Sequence, residues 1–303
     1  MSNILITGVN GFLGAALARD LDKDNRVVGL GFDKHKKAEP SVSDMIYGDV
    51  RDRALMARIL SEYEISDVYH MAAQSIVRVC ETNPASAYDI NVMGTVSLLD
   101  ACRTTPGIKS ITVSTSDKVY GHACPPYHED TPFEPRFIYE TSKACQDLVA
   151  RSFAESYGLP VKVVRCSNIY GPGDLNLSRL IPRSIMRLLN GESPILYDGV
   201  HNYTRDFVYI DDAVSAFRTI SKYGRSGEAY CVGTEKQYKI LDVIDMIRGI
   251  LGSDIQTEIV KKFVEFQEIE KQWMSCEKMT GLNWSPKIDL YEGLTRTIEY
   301  YKQ

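Results

Sequence analysis

Several features are absent from this 303-residue sequence, and each absence removes a class of protein. No run of about 18 apolar residues occurs, so no membrane-spanning helix is expected. There is no basic excess: 35 Lys and Arg against 40 Asp and Glu leave a net charge of -5. A broad nucleic-acid surface is thereby excluded. The seven cysteines are odd in number and lack CxxC or paired spacing. They read as reduced, mostly buried thiols of a cytoplasmic protein, with no disulfide framework. The five histidines show no metal spacing, so no metal is expected. Internal repeats and low-complexity segments are missing as well. The chain passes from "MSN" directly into the apolar "ILIT", so no secretory leader is expected.

What is present is the composition of an ordinary globular protein, 44% hydrophobic and 25% charged. The length suffices for one large domain or two unequal ones. In the first half, short apolar strands alternate with amphipathic helices. "ILIT", "RVVGLGF", "DMIYGDV", "DVYHMAA", "KSITVS" and "PVKVVRC" read as strands. Helices are expected over residues 11–22, 52–60, 84–103 and 139–157. This rhythm predicts an α/β fold, a Rossmann-type doubly wound parallel sheet with helices on both faces. After Cys166 the pattern changes: "NIYGPGD" is loop-like, a helix covers 178–190, and "TRDFVYIDDAVSAF" runs from strand into helix. The expected division is a dinucleotide-binding domain over 1–166, to which 200–222 returns. A smaller α/β substrate lobe covers 167–199 and 223–303.

"ILITGVNGFLG" places Gly8, Gly11 and Gly14 between the first strand and the first helix. Glycines in that order allow a tight turn and let a pyrophosphate approach the backbone of Phe12 and Leu13 at the helix N-terminus. Asp33, past the second strand, lies where an acidic residue would hold the adenosine ribose. Lys34, Lys36 and Lys37 could instead meet a 2'-phosphate, and Gly31 is the alternative register for the strand end. NAD is favoured, with NADP left open. Asp49 and Val50, after the third strand, are placed to meet the adenine. Ala72 and Ala73, after the fourth, are small enough for a cofactor to pass. Ala72 and Ala73 are equally open to a packing explanation.

"STSDKVYG" follows the buried strand "KSITV" and puts Ser116, Asp117 and Lys118 where the strand runs out. A solvated turn would explain an isolated charged pair. Tyr139 and Lys143, in "YETSK", are four residues apart and share one face of a helix. A phenol with a pKa near ~10 is a poor base at neutral pH. Lowering it by ~3 units takes roughly 4 kcal/mol, within reach of two close positive charges.

These motifs, with "GDVRD", "HMAAQ", "NVMGT", "SRLIP", "RDFVYIDD" and "LNWSP", resemble an extended short-chain dehydrogenase/reductase of the nucleotide-sugar epimerase and dehydratase group. The resemblance covers nearly the whole chain. "SDK" is most similar to the CDP-glucose 4,6-dehydratases, whereas "NIYGPGDLNLSRLIP" is more similar to the dTDP-glucose and epimerase branches, so the nucleotide base stays open. By resemblance, Ser116 bonds the sugar O4, Tyr139 takes its proton and Asp117 protonates the leaving C6 oxygen. Lys118 stands where glutamate is frequent. It would have to be neutral to act as a base, or charged to stabilise an enolate. Gln74, Asn91, Asn168, Arg179 and Arg205 are the implied substrate contacts, the arginines for the diphosphate. Three functions compete. A nucleotide-hexose 4,6-dehydratase using NAD leads, a 4-epimerase or C4 oxidoreductase follows, and a noncatalytic dinucleotide sensor is third. The resemblance also implies a homodimer, formed by helices beginning near Pro84 and Tyr139.

Overall fold

The computed structural model describes residues 1–33, 40–261 and 269–303; Lys34, Lys36 and Lys37 lie outside these. The first half runs β1 (Asn3–Thr7), α1 (Phe12–Leu21), β2 (Arg26–Gly31), β3 (Asp44–Tyr47), α2 (Arg53–Glu62) and β4 (Asp67–His70). Next come α3 (Val77–Thr82), α4 (Pro84–Tyr88), α5 (Gly94–Thr104), β5 (Ser110–Ser114), α6 (Ile138–Tyr157) and β6 (Val161–Cys166). The second half holds β7 (Asn168–Tyr170), α7 (Leu180–Leu189), β8 (Ile195–Tyr197), β9 (Thr204–Arg205), β10 (Phe207–Tyr209) and α8 (Ile210–Tyr223). It continues through β11 (Ala229–Val232), β12 (Tyr238–Lys239), α9 (Ile240–Leu251), β13 (Glu258–Val260), β14 (Lys271–Gln272), α10 (Glu277–Thr280) and α11 (Leu290–Tyr301).

Seven strands form one parallel sheet in the order β11-β6-β5-β4-β1-β2-β3. The order reverses between β1 and β4, the switch point at which such sheets open a ligand crevice. Successive residues of β1 point to opposite faces. Ile4 and Ile6 join Leu17, Val27 and Phe217 on one side, while Leu5 joins Val28, Met56, Leu98 and Ile111 on the other. Both faces are covered, which is why the strands read as continuous apolar runs.

Three expectations need correction. The segment assigned to the substrate lobe, 223–303, returns β11 to the main sheet, where it pairs with β6. Its run AYCV is buried throughout, so it fits only in a two-sided core. The helix expected over 84–103 is interrupted by a single π-type turn, Asp89–Met93, between α4 and α5. The inserted residue turns Asn91 inward, where its amide finds polar partners. "NIYGPGD" is not all loop, because β7 pairs with β10 in register Asn168↔Phe207.

Candidate active site

The turn after β1 presents backbone rather than side chains. Gly8 has φ +67, and a Cβ there would lie 2.8 Å from the Ala72 Cα and N. A Cβ on Gly14 would meet the Gly8 carbonyl oxygen at 2.4 Å. Gly11 caps α1 without a side-chain bond, and the first turn of the helix carries no acid. Among the described residues no side chain caps its opening N–H groups, and the positive dipole end suits a diphosphate. These residues fit a dinucleotide. Asn10 Nδ2 donates to the Asp33 carbonyl oxygen at 2.8 Å, fixing the end of β2 beside this turn. Asp33 itself is exposed. Asp49 is clasped by Arg51, at 3.0 Å from Nε and 2.6 Å from Nη2, which holds its carboxyl below the usual range. Val50 is buried against Gly94, whereas Ala72 and Ala73 stay partly open beside Gly8.

The catalytic end is assembled from side chains. Beyond β5 the chain makes one short helical turn, Asp117–Tyr120, capped by Ser116, whose oxygen accepts from the Lys118 N–H at 3.2 Å. Gly121 closes the turn with φ +54, against the Glu134 carbonyl. The solvated-turn explanation of "STSDKVYG" fails here, because Asp117 is only 3% exposed. Burial raises its pKa, and the Lys118 charge, the Ser116 bond and Arg205 oppose that. Ser116 Oγ donates to Asp117 Oδ1 at 2.9 Å.

Tyr139 enters on the first turn of α6. Glu140 Oε2 accepts from the Arg136 N–H at 2.9 Å and starts the helix there. A buried ion pair between Arg165 and Asp147, with bonds of 2.8 and 2.9 Å, ties α6 to β6. Arg165 also donates to the Tyr120 hydroxyl, which locks the turn after β5 to the same frame. Burial pushes the Tyr139 phenol up to about 12, and Arg179 and a bond with Ser116 pull against it. The cation with the largest effect on Tyr139 is thus Arg179, which the sequence had given to the substrate diphosphate. Lys143 is buried and donates to the Ser114 carbonyl oxygen at 3.1 Å and to Gln146 Oε1 at 2.8 Å. Loss of solvent pulls its pKa down to about 8.

The proposed substrate residues divide. Arg179 sits at the start of α7, 3.0 Å from Asp174 and with its guanidinium 5.8 Å from the Phe12 ring centroid. It thereby joins the second half of the chain to the nucleotide turn. Arg205 is buried near Asp117 and donates to the Thr204 carbonyl. Asn168 Nδ2 donates to the Asp206 carbonyl at 3.0 Å. Asn91 does not fit a substrate contact. It is 0% exposed, it accepts from the Gln74 N–H at 2.7 Å, and it donates to the Gln74 carbonyl and to Ser142 Oγ. Its amide closes a loop. The Gln74 side chain is likewise turned onto the Ile76 N–H.

One residue escaped sequence reasoning. Gln272, on β14, is fully buried; its Oε1 accepts from Lys118 Nζ at 2.7 Å and its Nε2 donates to Asp117 Oδ2 at 3.4 Å. A single amide from the end of the chain spans both charged members of the turn. No motif announces it.

The doubly wound sheet, the glycine turn and the pairing of Ser116 with Tyr139, Lys143 following one helical turn on, define an extended short-chain dehydrogenase/reductase. More narrowly, the chain belongs to the family described as GDP-mannose 4,6 dehydratase, which matches residues 5–297. It is 30% identical over 340 residues to dTDP-glucose 4,6-dehydratase 1 of Escherichia coli (strain K12), covering 98% of this chain and 92% of that one. It spans about half the length, 47%, of a trifunctional UDP-glucose 4,6-dehydratase, 3,5-epimerase and reductase of Arabidopsis thaliana that it also matches at 30% identity over 99% of this chain. Among solved structures, dTDP-glucose 4,6-dehydratase from Bacillus anthracis in complex with NAD has a TM-score of 0.89 at 27% identity, over 100% of this chain and 97% of that one. UDP-glucose 4-epimerase from Thermotoga maritima with UDP-glucose has a TM-score of 0.92 at 28% identity, over 99% and 98%.

Proposed function

We propose that this chain is a nucleotide-sugar 4,6-dehydratase that works with NAD. The observation that carries this reading is Asp117, a buried carboxyl with a raised pKa, one residue from Ser116 and bridged to Lys118 by Gln272. NAD, when bound, would supply the hydride acceptor for C4 of the hexose and the hydride donor for C6. For Tyr139 to take the O4 proton, the positive charge of bound NAD would have to add to that of Arg179 and offset the burial that holds the phenol up at about 12, with Ser116 beside it to meet the same oxygen. The 4-ketone so formed acidifies the C5 hydrogen, which passes to water as the C6 hydroxyl departs and is replaced from water once the hydride has reached C6. Asp117, which burial keeps ready to hold a proton, delivers it to the departing C6 oxygen. A charged lysine takes no proton, so Lys118 serves to stabilise the enolate. Gly8, Gly11, Phe12, Leu13, Gly14 and Asp33 hold NAD, with Val50, Ala72 and Ala73 along its path. The exposed Asp33 carboxylate predicts tighter binding of NAD than of NADP, which titration with both cofactors checks.

Arg179, Arg205 and Asn168 are assigned to the nucleotide sugar, and residues 167–199 and 233–303 to the lobe that holds it. The chain is placed in the cytoplasm as a homodimer; exposed Met93 and Leu148, on the helical surfaces beyond Pro84 and Tyr139, support the pairing. No described helix is long and apolar enough to cross a membrane. The second reading, a 4-epimerase or C4 oxidoreductase, is favoured by one feature, the lysine in place of a base at position 118. Incubation with a panel of nucleotide hexoses, followed by mass spectrometry, separates the two. The dehydratase gives a product lighter by one water from at least one substrate, whereas products of unchanged mass support the epimerase.

A further inference from the structure

We infer that His70, held as the Nε2–H tautomer by Thr7 and Thr95, is a positioning residue that orients Gln146 and through it the ammonium group of Lys143. The argument starts from a chain of fully buried polar groups: Thr7, His70, Thr95 and Gln146 are each 0% exposed. Thr95 Oγ1 lies 2.7 Å from the Asn91 carbonyl oxygen, 3.0 Å from Gln146 Nε2 and 2.9 Å from His70 Nε2. A hydroxyl has one hydrogen, and a carbonyl can only accept. That hydrogen goes to Asn91, so the Thr95 oxygen accepts from both other partners. His70 Nε2 therefore carries a proton.

The neutral ring then has a bare Nδ1, which accepts from Thr7 Oγ1 at 2.8 Å. The Thr7 oxygen in turn accepts the Ala72 N–H at 3.2 Å. At the other end, Gln146 spends its Nε2 on Thr95, so its Oε1 must face Lys143 Nζ, as it does at 2.8 Å. The reversed amide would set two donors against each other. One set of hydrogen positions satisfies every atom, and burial supports it by keeping the imidazole neutral, with a pKa down at about 3. The chain starts at Thr7 and Ala72, which flank Gly8, and ends on Lys143. It thus fixes the catalytic lysine relative to the nucleotide turn.

The inference takes from the proposed function only that Lys143 belongs to the catalytic site. Histidine 15N NMR on the whole chain tests it without substrate. His70 should show a protonated Nε2 and a bare Nδ1, unchanged from pH 8 to pH 5; a protonated Nδ1 or a doubly protonated ring in that range overturns it. Thr95→Val keeps the shape and removes the acceptor, and should abolish that slowly exchanging Nε2–H signal. Thr95→Ser loses a methyl but keeps the hydroxyl, and should retain the signal. On a substrate the enzyme turns over, Thr95→Val should lower kcat ~10- to 100-fold, the scale of a small misplacement in a catalytic site, while Thr95→Ser stays within ~3-fold. NAD affinity should change little in either. A packing role would reverse that order, and equal loss in both variants, or none in Thr95→Val, contradicts the positioning role. If the wild-type chain transforms no nucleotide sugar, the proposed function fails by itself, and the histidine signals of the two variants still decide this inference.

Discussion

At the nucleotide end of the cleft the ligand-facing surface is backbone, whereas at the catalytic end it is side chains drawn from three separate segments. Gly8, Gly11 and Gly14 lie within seven residues and shape their cradle through what they lack. Ser116, Asp117, Tyr139 and Gln272 meet because β5, α6 and β14 are brought together by the fold. A backbone cradle tolerates almost nothing larger than hydrogen at its tight points. A side-chain cluster can be edited atom by atom, which suits an active site that changes reaction while keeping its cofactor.

The largest expected effect lies at the catalytic end. Tyr139→Phe should keep the fold and NAD binding and lose ~100- to 10,000-fold in turnover, the range for a positioned acid–base group. Steady-state kinetics beside an NAD titration checks it. At the other end Gly8→Ala should do the opposite, striking fold and cofactor together. It forces φ +67 on an alanine and a Cβ into the Ala72 backbone, a strain of ~1–3 kcal/mol. Lower Tm together with weaker NAD binding is the expected pair of results; an unchanged Tm would show that the turn relaxes.

These two sites were legible in the sequence because their information is local: glycine spacing at one, a helical i,i+4 pair at the other. The seven-stranded sheet was legible nearly whole for the same reason, through alternating apolar strands and helices. What the sequence hid is nonlocal. Gln272 stands 155 positions from Asp117 and looks like any polar residue in a short strand. Arg179 acts on Tyr139 across the cleft, and a four-residue strand, β11, carries too little pattern to declare which sheet it joins. Asn91 was misassigned because the π-type turn that buries it leaves no trace in periodicity.

Gln272→Leu sharpens the comparison further. It removes one amide from the side-chain end and should slow water loss ~10-fold, a hydrogen bond to a charged group counting for about 1.5–3 kcal/mol. Exchange of the C5 hydrogen in deuterated water, read by NMR, should continue faster than water loss. Equal slowing of both would assign Gln272 to packing alone.

The smallest effect tests the link between the two ends. The folded-state pKa of His70, about 3, lies below the ordinary 6.5, so the unfolded chain binds the extra proton. The stability this histidine preserves is complete above pH 6.5 and is lost as pH falls toward 3. Between pH 7 and pH 5.5 that amounts to about 1 kcal/mol. Urea unfolding should show the wild-type chain losing that much more than His70→Gln over the same interval. Parallel losses would mean that His70 is already protonated in the folded chain.

The most direct test of the central claim is one isotope experiment on the wild-type enzyme. A nucleotide hexose carrying deuterium at C4 is converted in ordinary water, and the product is analysed by mass spectrometry and NMR. The account predicts a 4-keto product lighter by one water, with the deuterium now on C6. A product that keeps its C6 hydroxyl and full carbon–oxygen framework, with C4 merely inverted or oxidised, would contradict it.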